Sequence, residues 1–130
     1  MFAAFRAEVV ATLEAAMPDV PLWPALPDDV NELPCLVVGL PGARETATAV
    51  VFDLDLTIFV IGRRQHAGGA ELELLELTDR VFDVLGGTRG TRTPMREVIA
   101  VTRVDPRLLT VAGLECPAYT VAVEASATTC

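Results

Sequence analysis

The amino-acid sequence predicts a single α+β domain, with a mainly antiparallel sheet and two main helices packed on one of its faces. Two stretches have the apolar spacing of amphipathic helices, and a long run of strict apolar alternation stands between them. Consecutive strand patterns on both sides of the second helix favour antiparallel pairing in a layered α+β architecture. At 130 residues, 52% of them hydrophobic, the chain can build one ordinary core, so 1–130 is one domain.

The N-terminal segment predicts an amphipathic helix that ends at Pro18. Its apolar residues recur in steps of three and four, which places them on one side of a helix: Phe2, Phe5, Val9, Leu13 and Ala16. Residues 18–34 hold five prolines, a composition typical of an extended, turn-rich connection. Because this connection also carries apolar residues, we expect Trp23 to pin it onto the body of the domain.

Two strands are predicted next. The run CLVVG at 35–39 is short, apolar and bounded by prolines, which suits a buried strand. A longer strand follows, with an apolar face formed by Val50, Phe52, Leu54, Leu56, Ile58 and Val60. Its opposite face carries Asp53 and Asp55 at the middle and apolar residues at the ends. That mixture predicts partial cover of the opposite face by another element or another subunit.

The segment AELELLELTDRVFDVLGG predicts the second helix, with Gly86 as its stop signal. Its apolar stripe consists of Leu74, Leu77, Val81, Val84 and Leu85. Three strand patterns follow, at 98–104, 107–112 and 118–125. We expect residues 126–130 to form a frayed tail.

Charge and composition exclude several classes of function. Eighteen acidic residues against ten basic ones give a net charge of −8, which repels phosphate backbones and argues against general nucleic-acid binding. All ten basic residues are arginines, so no lysine is present for Schiff-base or phosphate-clamping chemistry. Cys35, Cys116 and Cys130 form no CxxC motif and only one histidine is present, which predicts buried or incidental thiols. We therefore expect no metal site and no cofactor.

Two further features bear on where the protein acts. No apolar stretch reaches the roughly 20 residues that cross a bilayer. The N-terminus also lacks the basic region and the unbroken apolar region of a secretory signal. We therefore expect no membrane partner, and synthesis in the cytoplasm.

The segment VVFDLDLT contains the pattern DxDxT after a hydrophobic strand, and so resembles the first motif of the haloacid dehalogenase superfamily. In those enzymes the first carboxylate stands beyond a strand end, where a phosphoryl group can approach in line. Here the alternation continues past Thr57, which places Asp53 and Asp55 in mid-strand. The downstream lysine of the superfamily is also absent. We therefore expect no catalytic residues and no enzyme activity.

Arginines cluster in the two loops that flank the second helix. They are Arg63, Arg64, Arg89, Arg92 and Arg96. The glycines near them form no phosphate-binding motif, and a lone histidine in a glycine-containing loop is most often solvated. Arginine is well suited to bidentate pairing with carboxylates across an interface. We therefore expect these five residues at a subunit or tube contact. The alternative is that the loops that carry them are simply solvated.

Five segments, taken in order, cover nearly the whole chain. They are FRAEVVATLEAAMP, LPCLVVGLPG, VVFDLDLTIFVIG, ELELLELTDRVFDVLGG and PAYTVAVEA. Their order resembles the tail-terminator, or minor tail protein, family of bacteriophages with long non-contractile tails. That family combines an N-terminal helix, a proline-rich passage into a short P-x-V-V-V-G strand, a long alternating strand, a second helix and closing strands.

The resemblance implies a structural virion protein that forms a ring, usually of six subunits, at the head-proximal end of the tail. Such a ring caps the tail tube, stops its polymerisation and offers a surface to head-completion proteins of the neck. DNA passes through its channel without specific binding, and assembly takes place in the host cytoplasm. The alternatives are another neck or tail-completion protein, which shares the same pattern, and a non-viral oligomeric adaptor of the same fold.

In such a ring, Asp53 and Asp55 would repeat as a band of negative charge facing the lumen. Carboxylates repel the phosphate backbone of duplex DNA and let it slide, whereas arginines would bind it. The alternative is that both carboxylates are merely solvated on the outer face of an antiparallel sheet, where polar residues are common.

Overall fold

The computed structural model describes residues 2–25, 33–45, 51–63, 69–86 and 99–128. Within these ranges the chain forms two helices, α1 (Phe2–Ala16) and α2 (Ala70–Val84). The strands are β1 (Leu22–Trp23), β2 (Cys35–Val38), β3 (Gly42–Glu45), β4 (Val51–Ile61), β5 (Ile99–Val111) and β6 (Leu114–Thr128). The predicted α+β class is confirmed.

The described strands form one sheet in the order β1-β2-β4-β6-β5. All neighbours are antiparallel except β1 and β2, which are parallel. Strands β2 and β3 lie end to end along one edge of β4, since Val38 pairs with Ile58 and Gly42 with Asp55. On its other edge β4 pairs with β6 along its whole length. Strand β4 is therefore the centre of the sheet.

Both helices pack on one face of the sheet, around the larger hydrophobic cluster. They contribute the predicted stripes, Phe5, Val9 and Leu13 from α1 and Leu74, Leu77, Val81 and Leu85 from α2. Strand β4 meets them with Leu54, Leu56, Ile58 and Val60. Phe2 and Ala16, at the two ends of the predicted α1 stripe, are exposed instead.

A second, smaller cluster lies on the opposite face, which we call the outer face. It joins Cys35 and Val37 of β2 to Ile61 of β4 and to Cys116 and Ala118 of β6. The connection after α1 covers this cluster from both of its ends, through Trp23 on β1 and Leu33 before β2. The expected role of Trp23 is confirmed, and the expected cover of the outer face comes at this end from the chain itself.

The C-terminal part forms two long strands, where the sequence predicted three. The prediction broke the chain at Asp105 and Pro106, but β5 continues through both residues. Proline is tolerated there because β5 is an edge strand, whose outward side forms no ladder within the sheet.

The expected frayed tail at 126–130 is also wrong for its first three residues. Strand β6 continues to Thr128, which pairs with Val51 of β4. Residues 129–130 lie outside the described ranges. The short strands β1 and β3 were not predicted, since two and four residues without alternation carry no periodic signal.

A two-residue turn joins β5 to β6. Val111 pairs with Leu114, and the residues between them, Ala112 and Gly113, have positive φ values of 51° and 79°. Positive φ at both central positions is the requirement of a type I′ hairpin turn, which asparagine followed by glycine satisfies best. Alanine is strained in that conformation, because its Cβ approaches the following carbonyl.

Ala112→Asn should therefore stabilise the protein by roughly 0.5–1 kcal/mol, raising the melting temperature by a few degrees. Gly113→Ala, at a φ of 79°, should destabilise it by about 1 kcal/mol. Thermal and urea unfolding of both variants measure these changes. A destabilised Ala112→Asn variant would contradict the assignment of the turn.

Candidate functional site

The outer face carries an acidic patch at the end of the sheet away from the smaller cluster. Asp53 is half-buried and Asp55 is exposed, and both lie inside the 11-residue strand β4 with paired strands on either side. The mid-strand position predicted for them is confirmed. A carboxylate there does not stand beyond a strand end, as nucleophilic attack on a phosphoryl group would need.

The pairing register adds a third carboxylate to this patch. Glu124 of β6 lies directly opposite Asp55 and is half-buried, whereas Arg44 of β3 lies opposite Asp53, so the patch keeps a net negative charge. Like charges opposite each other on neighbouring strands destabilise a sheet. This pairing could not be predicted from the sequence, because it depends on the register between two strands whose paired residues lie about 70 positions apart.

Of the five arginines expected at an interface, only Arg63 lies within the described residues. Arg64, Arg89, Arg92 and Arg96 fall outside them, and their predicted role stays a prediction. The Nε atom of Arg63 lies 3.2 Å from Oε1 of Glu73 on α2, an ionic contact without hydrogen-bond geometry. The side chain is still 54% exposed. Arg63 therefore has a counter-charge on α2 of its own chain, and its expected place at a subunit or tube contact stays a prediction.

A charged cleft of about 420 Å³ lies beside this pair, between α2 and the turn that follows α1. Arg80 of α2 donates two hydrogen bonds to the carboxylate of Asp19, at 2.9 and 3.1 Å. These hydrogen bonds lower the pKa of Asp19 below its usual value. Both arginines among the described residues of the cleft are paired within the chain, so these residues offer no uncompensated cation to an anionic ligand.

An apolar groove of about 500 Å³ lies on the other side of the molecule, between α2 and the β5–β6 hairpin. The hairpin extends beyond the last paired residue of β4, Ile61, so that, among the described strands, none pairs with β6 on that side beyond Ala118. The groove is lined by Leu74, Leu75, Pro106, Leu108, Pro117 and Tyr119, with Glu71 and Arg107 at its rim. Leu108 is 60% exposed and Leu75 is 48% exposed. The groove is thus an open apolar surface, and sequence reasoning missed it.

The free edge of β5 next to this groove is poorly suited to pairing with another strand. Pro106 lacks a backbone donor, and a register shift interrupts the strand between Val101 and Arg103. Arg103 and Asp105 form an ion pair at 2.6 Å on this edge strand. Proline, bulges and charges are the devices that keep edge strands from adding further strands. We therefore expect a partner on this side to contact the side chains of the groove and not to add a strand to β5.

Other kinds of site were sought in the same part of the chain. Within the described residues, no three potential metal ligands come together, and no helix is long and apolar enough to cross a membrane. Cys35 and Cys116 are buried thiols, as expected, and Cys130 lies outside the described ranges.

Comparisons with known proteins do not place the chain in a family. No protein-family model matches it, and no curated protein matches it in sequence.

Asp19→Asn should lower the free energy of unfolding slightly at neutral pH. Because Arg80 lowers the pKa of Asp19 in the folded state, the carboxylate stabilises the fold above its unfolded pKa, and this stabilisation is lost as the pH falls through the lowered value. The effect should be small and weaker in high salt, since both side chains are exposed. Thermal melting against pH and salt measures it, with Glu14→Gln on α1 as the matched control. A loss that persisted under acid conditions would contradict the pairing.

Asp53→Asn should have no effect on phosphatase activity, because we expect the wild-type protein to have none. Hydrolysis of a generic phosphomonoester with magnesium should be the same for the wild-type protein and the variant, because the carboxylate lies in mid-strand and no lysine balances the charge. Magnesium-dependent hydrolysis that the substitution abolishes would reverse this expectation.

Proposed function

We propose that the chain is a structural virion protein of the tail-terminator type, which assembles into a ring and caps the head-proximal end of a phage tail tube. The observation that carries the proposal is the presence of two unlike surfaces on one domain, the open apolar groove beside β5 and the acidic patch on the outer face. A ring is built from heterologous contacts, in which one patch of a subunit meets a different patch on the next. The open apolar groove beside β5 is one such patch.

The layered fold also suits a ring. The helices cover one face of the sheet with the larger cluster, so the outer face is left to border a channel. The acidic patch of Asp53, Asp55 and Glu124 lies on that face, and its net negative charge would repeat around a ring as a band even where one of its carboxylates contacts a neighbouring copy. Duplex DNA would slide past such a band, because its phosphates are repelled. The partners proposed are further copies of the chain, the tail tube protein and a head-completion protein.

Tube capping tests the proposal directly. Purified protein is mixed with tail tubes assembled from the tube protein of the same genome, and the mixture is viewed by negative-stain electron microscopy. A ring at one end of each tube, and no further elongation when free tube protein is added, are expected. Tubes that stay bare and elongate at both ends would refute the proposed role.

A positive charge introduced on the outer face tests the channel. Ala122 is half-buried on β6, next to Glu124 on the same face, so Ala122→Arg would place a ring of cations there. Phages carrying Ala122→Arg should assemble capped tails but eject DNA more slowly, since arginines bind phosphates. Ala122→Glu is the matched control and should eject normally. Equal ejection by both variants would place this face away from the channel.

A further inference from the structure

Leu40 is the most exposed of the large apolar side chains in the described part of the chain, at 87%. It stands in the short break between β2 and β3, and the backbone before it is held firmly. The amide of Gly39 donates to the carbonyl of Thr57 at 2.9 Å. The guanidinium of Arg6 on α1 donates to the carbonyls of Val38 and Gly39, at 3.0 and 3.2 Å. Folding of the single chain thus fixes an apolar side chain in solvent without burying it.

The position of Gly39 explains why this break is rigid. A Cβ atom added there would lie 3.0 Å from the carbonyl oxygen of Thr57, a tighter contact than nearly all real Cβ atoms make, so the backbone of β4 would have to move by a few tenths of an ångström. Glycine therefore permits the backbone to approach β4, and the approach fixes the direction in which Leu40 projects. Because this backbone is already held in place, burial of Leu40 by a partner would cost little backbone entropy, which favours binding.

We propose that Leu40 of one copy inserts into the groove between α2 and the β5–β6 hairpin of the next copy. The proposal depends on one part of the proposed function, self-assembly, and is independent of tube capping. The two surfaces lie on opposite edges of the same sheet, since the break flanks β4 on the β2 and β3 side and the groove flanks β5. After two copies meet through unlike edges, the pair still has one free Leu40 at one end and one free groove at the other, so further copies can add until a ring closes.

Charges around the two surfaces are complementary on both faces of the sheet. The exposed leucine is flanked by Arg6 on the helix side and by Asp55 on the outer face, where Asp55 pairs with Gly42. The groove is flanked in the reverse order, by Glu71 of α2 on the helix side and by Arg107 of β5 on the outer face. When helix layers of neighbouring copies lie on the same side, Arg6 meets Glu71 and Asp55 meets Arg107. Opposite charges at such a contact select the partner and its orientation.

A single displacement of one copy brings both the apolar and the charged groups together. Along the direction of β4, Leu40 lies near the level of Asp55, because Asp55 pairs with Gly42. Arg107 lies at the level of Ile61, because both residues pair with Ala118 of β6. The shift is about six residues, or roughly 20 Å at ~3.3 Å per residue. Leu108 follows Arg107 directly, so the same shift aligns it with Leu40. Neighbouring copies would be staggered along their strands, as strands are when a sheet closes on itself.

Disulfide trapping tests which surfaces meet. Leu40→Cys and Leu108→Cys are made separately in a Cys130→Ser background, in which the remaining cysteines, Cys35 and Cys116, are buried. Co-expressed and oxidised, the two variants should form a disulfide that links one chain of each kind, since a bond requires Cα atoms within about 7 Å. Each variant alone should stay unlinked. A mixture without linked chains, or Leu40→Cys chains that link to each other equally well, would overturn the contact.

Self-association measured by light scattering against concentration provides the quantitative test. Leu40→Ser and Leu108→Ser should each weaken it at least about tenfold, because a buried leucine becomes polar. Leu72→Ser is the matched control, since Leu72 is 61% exposed on α2 but lies outside the groove lining, and should change nothing. Asp55→Arg and Arg107→Asp should each weaken association, and their combination should restore it.

The outcomes separate this contact from the ring itself. A wild-type protein that stays monomeric at every concentration would remove self-assembly, and with it both the contact and the ring of the proposed function. A wild-type oligomer that Leu40→Ser leaves intact would overturn the contact alone and keep the ring.

Discussion

The alternation of side chains along β4 is the constraint on which the rest of the structure depends. One side of this strand, Leu54 to Val60, forms the floor of the larger cluster under both helices. The other side is acidic at Asp53 and Asp55 and apolar at Phe59 and Ile61, where the smaller cluster begins. A slip of one residue against β6 would exchange the two sides and bury the carboxylates under the helices. Continuous pairing from Val51 to Ile61 fixes the register against such a slip.

This central strand also separates the surfaces that we assign to assembly. Leu40 and Asp55 lie on the side of β4 where β3 pairs. Leu108 and Arg107 lie on the opposite side of the sheet order, on β5 of the β5–β6 hairpin. The same order of strands keeps the helix layer on one face and the acidic patch on the other. In the proposed ring, the helices on the outside, the sheet facing the channel and the two complementary edges would all follow from this one sheet order.

Periodic features of the sequence predicted the fold well where they were long. The α1 and α2 stripes and the β4 alternation each extend over ten or more residues, so their apolar spacing identifies them. Strand β5 was divided because Pro106 signals a break in sequence, and only its position at the sheet edge makes proline tolerable. Strand β3 could not be seen, since four residues that pair with β4 carry no pattern of their own.

The surfaces proposed for function were predicted less well, because they depend on distant pairing. Asp53 and Asp55 were found from the sequence, but Glu124 joins them only through the β4–β6 register. Leu40 and Leu108 look like ordinary apolar residues of strands until the sheet order shows that both remain exposed. Arg63 was expected to contact a partner chain, and in the structure it forms an ionic contact with Glu73 of its own chain.

The central claim is that copies of this chain meet through unlike edges and close into a ring. Negative-stain imaging of the purified protein alone, with class averages of its assemblies, tests that claim most directly. The account predicts rings with a central channel and cyclic symmetry. Monomers throughout, or two-fold dimers in which identical edges meet, would contradict it.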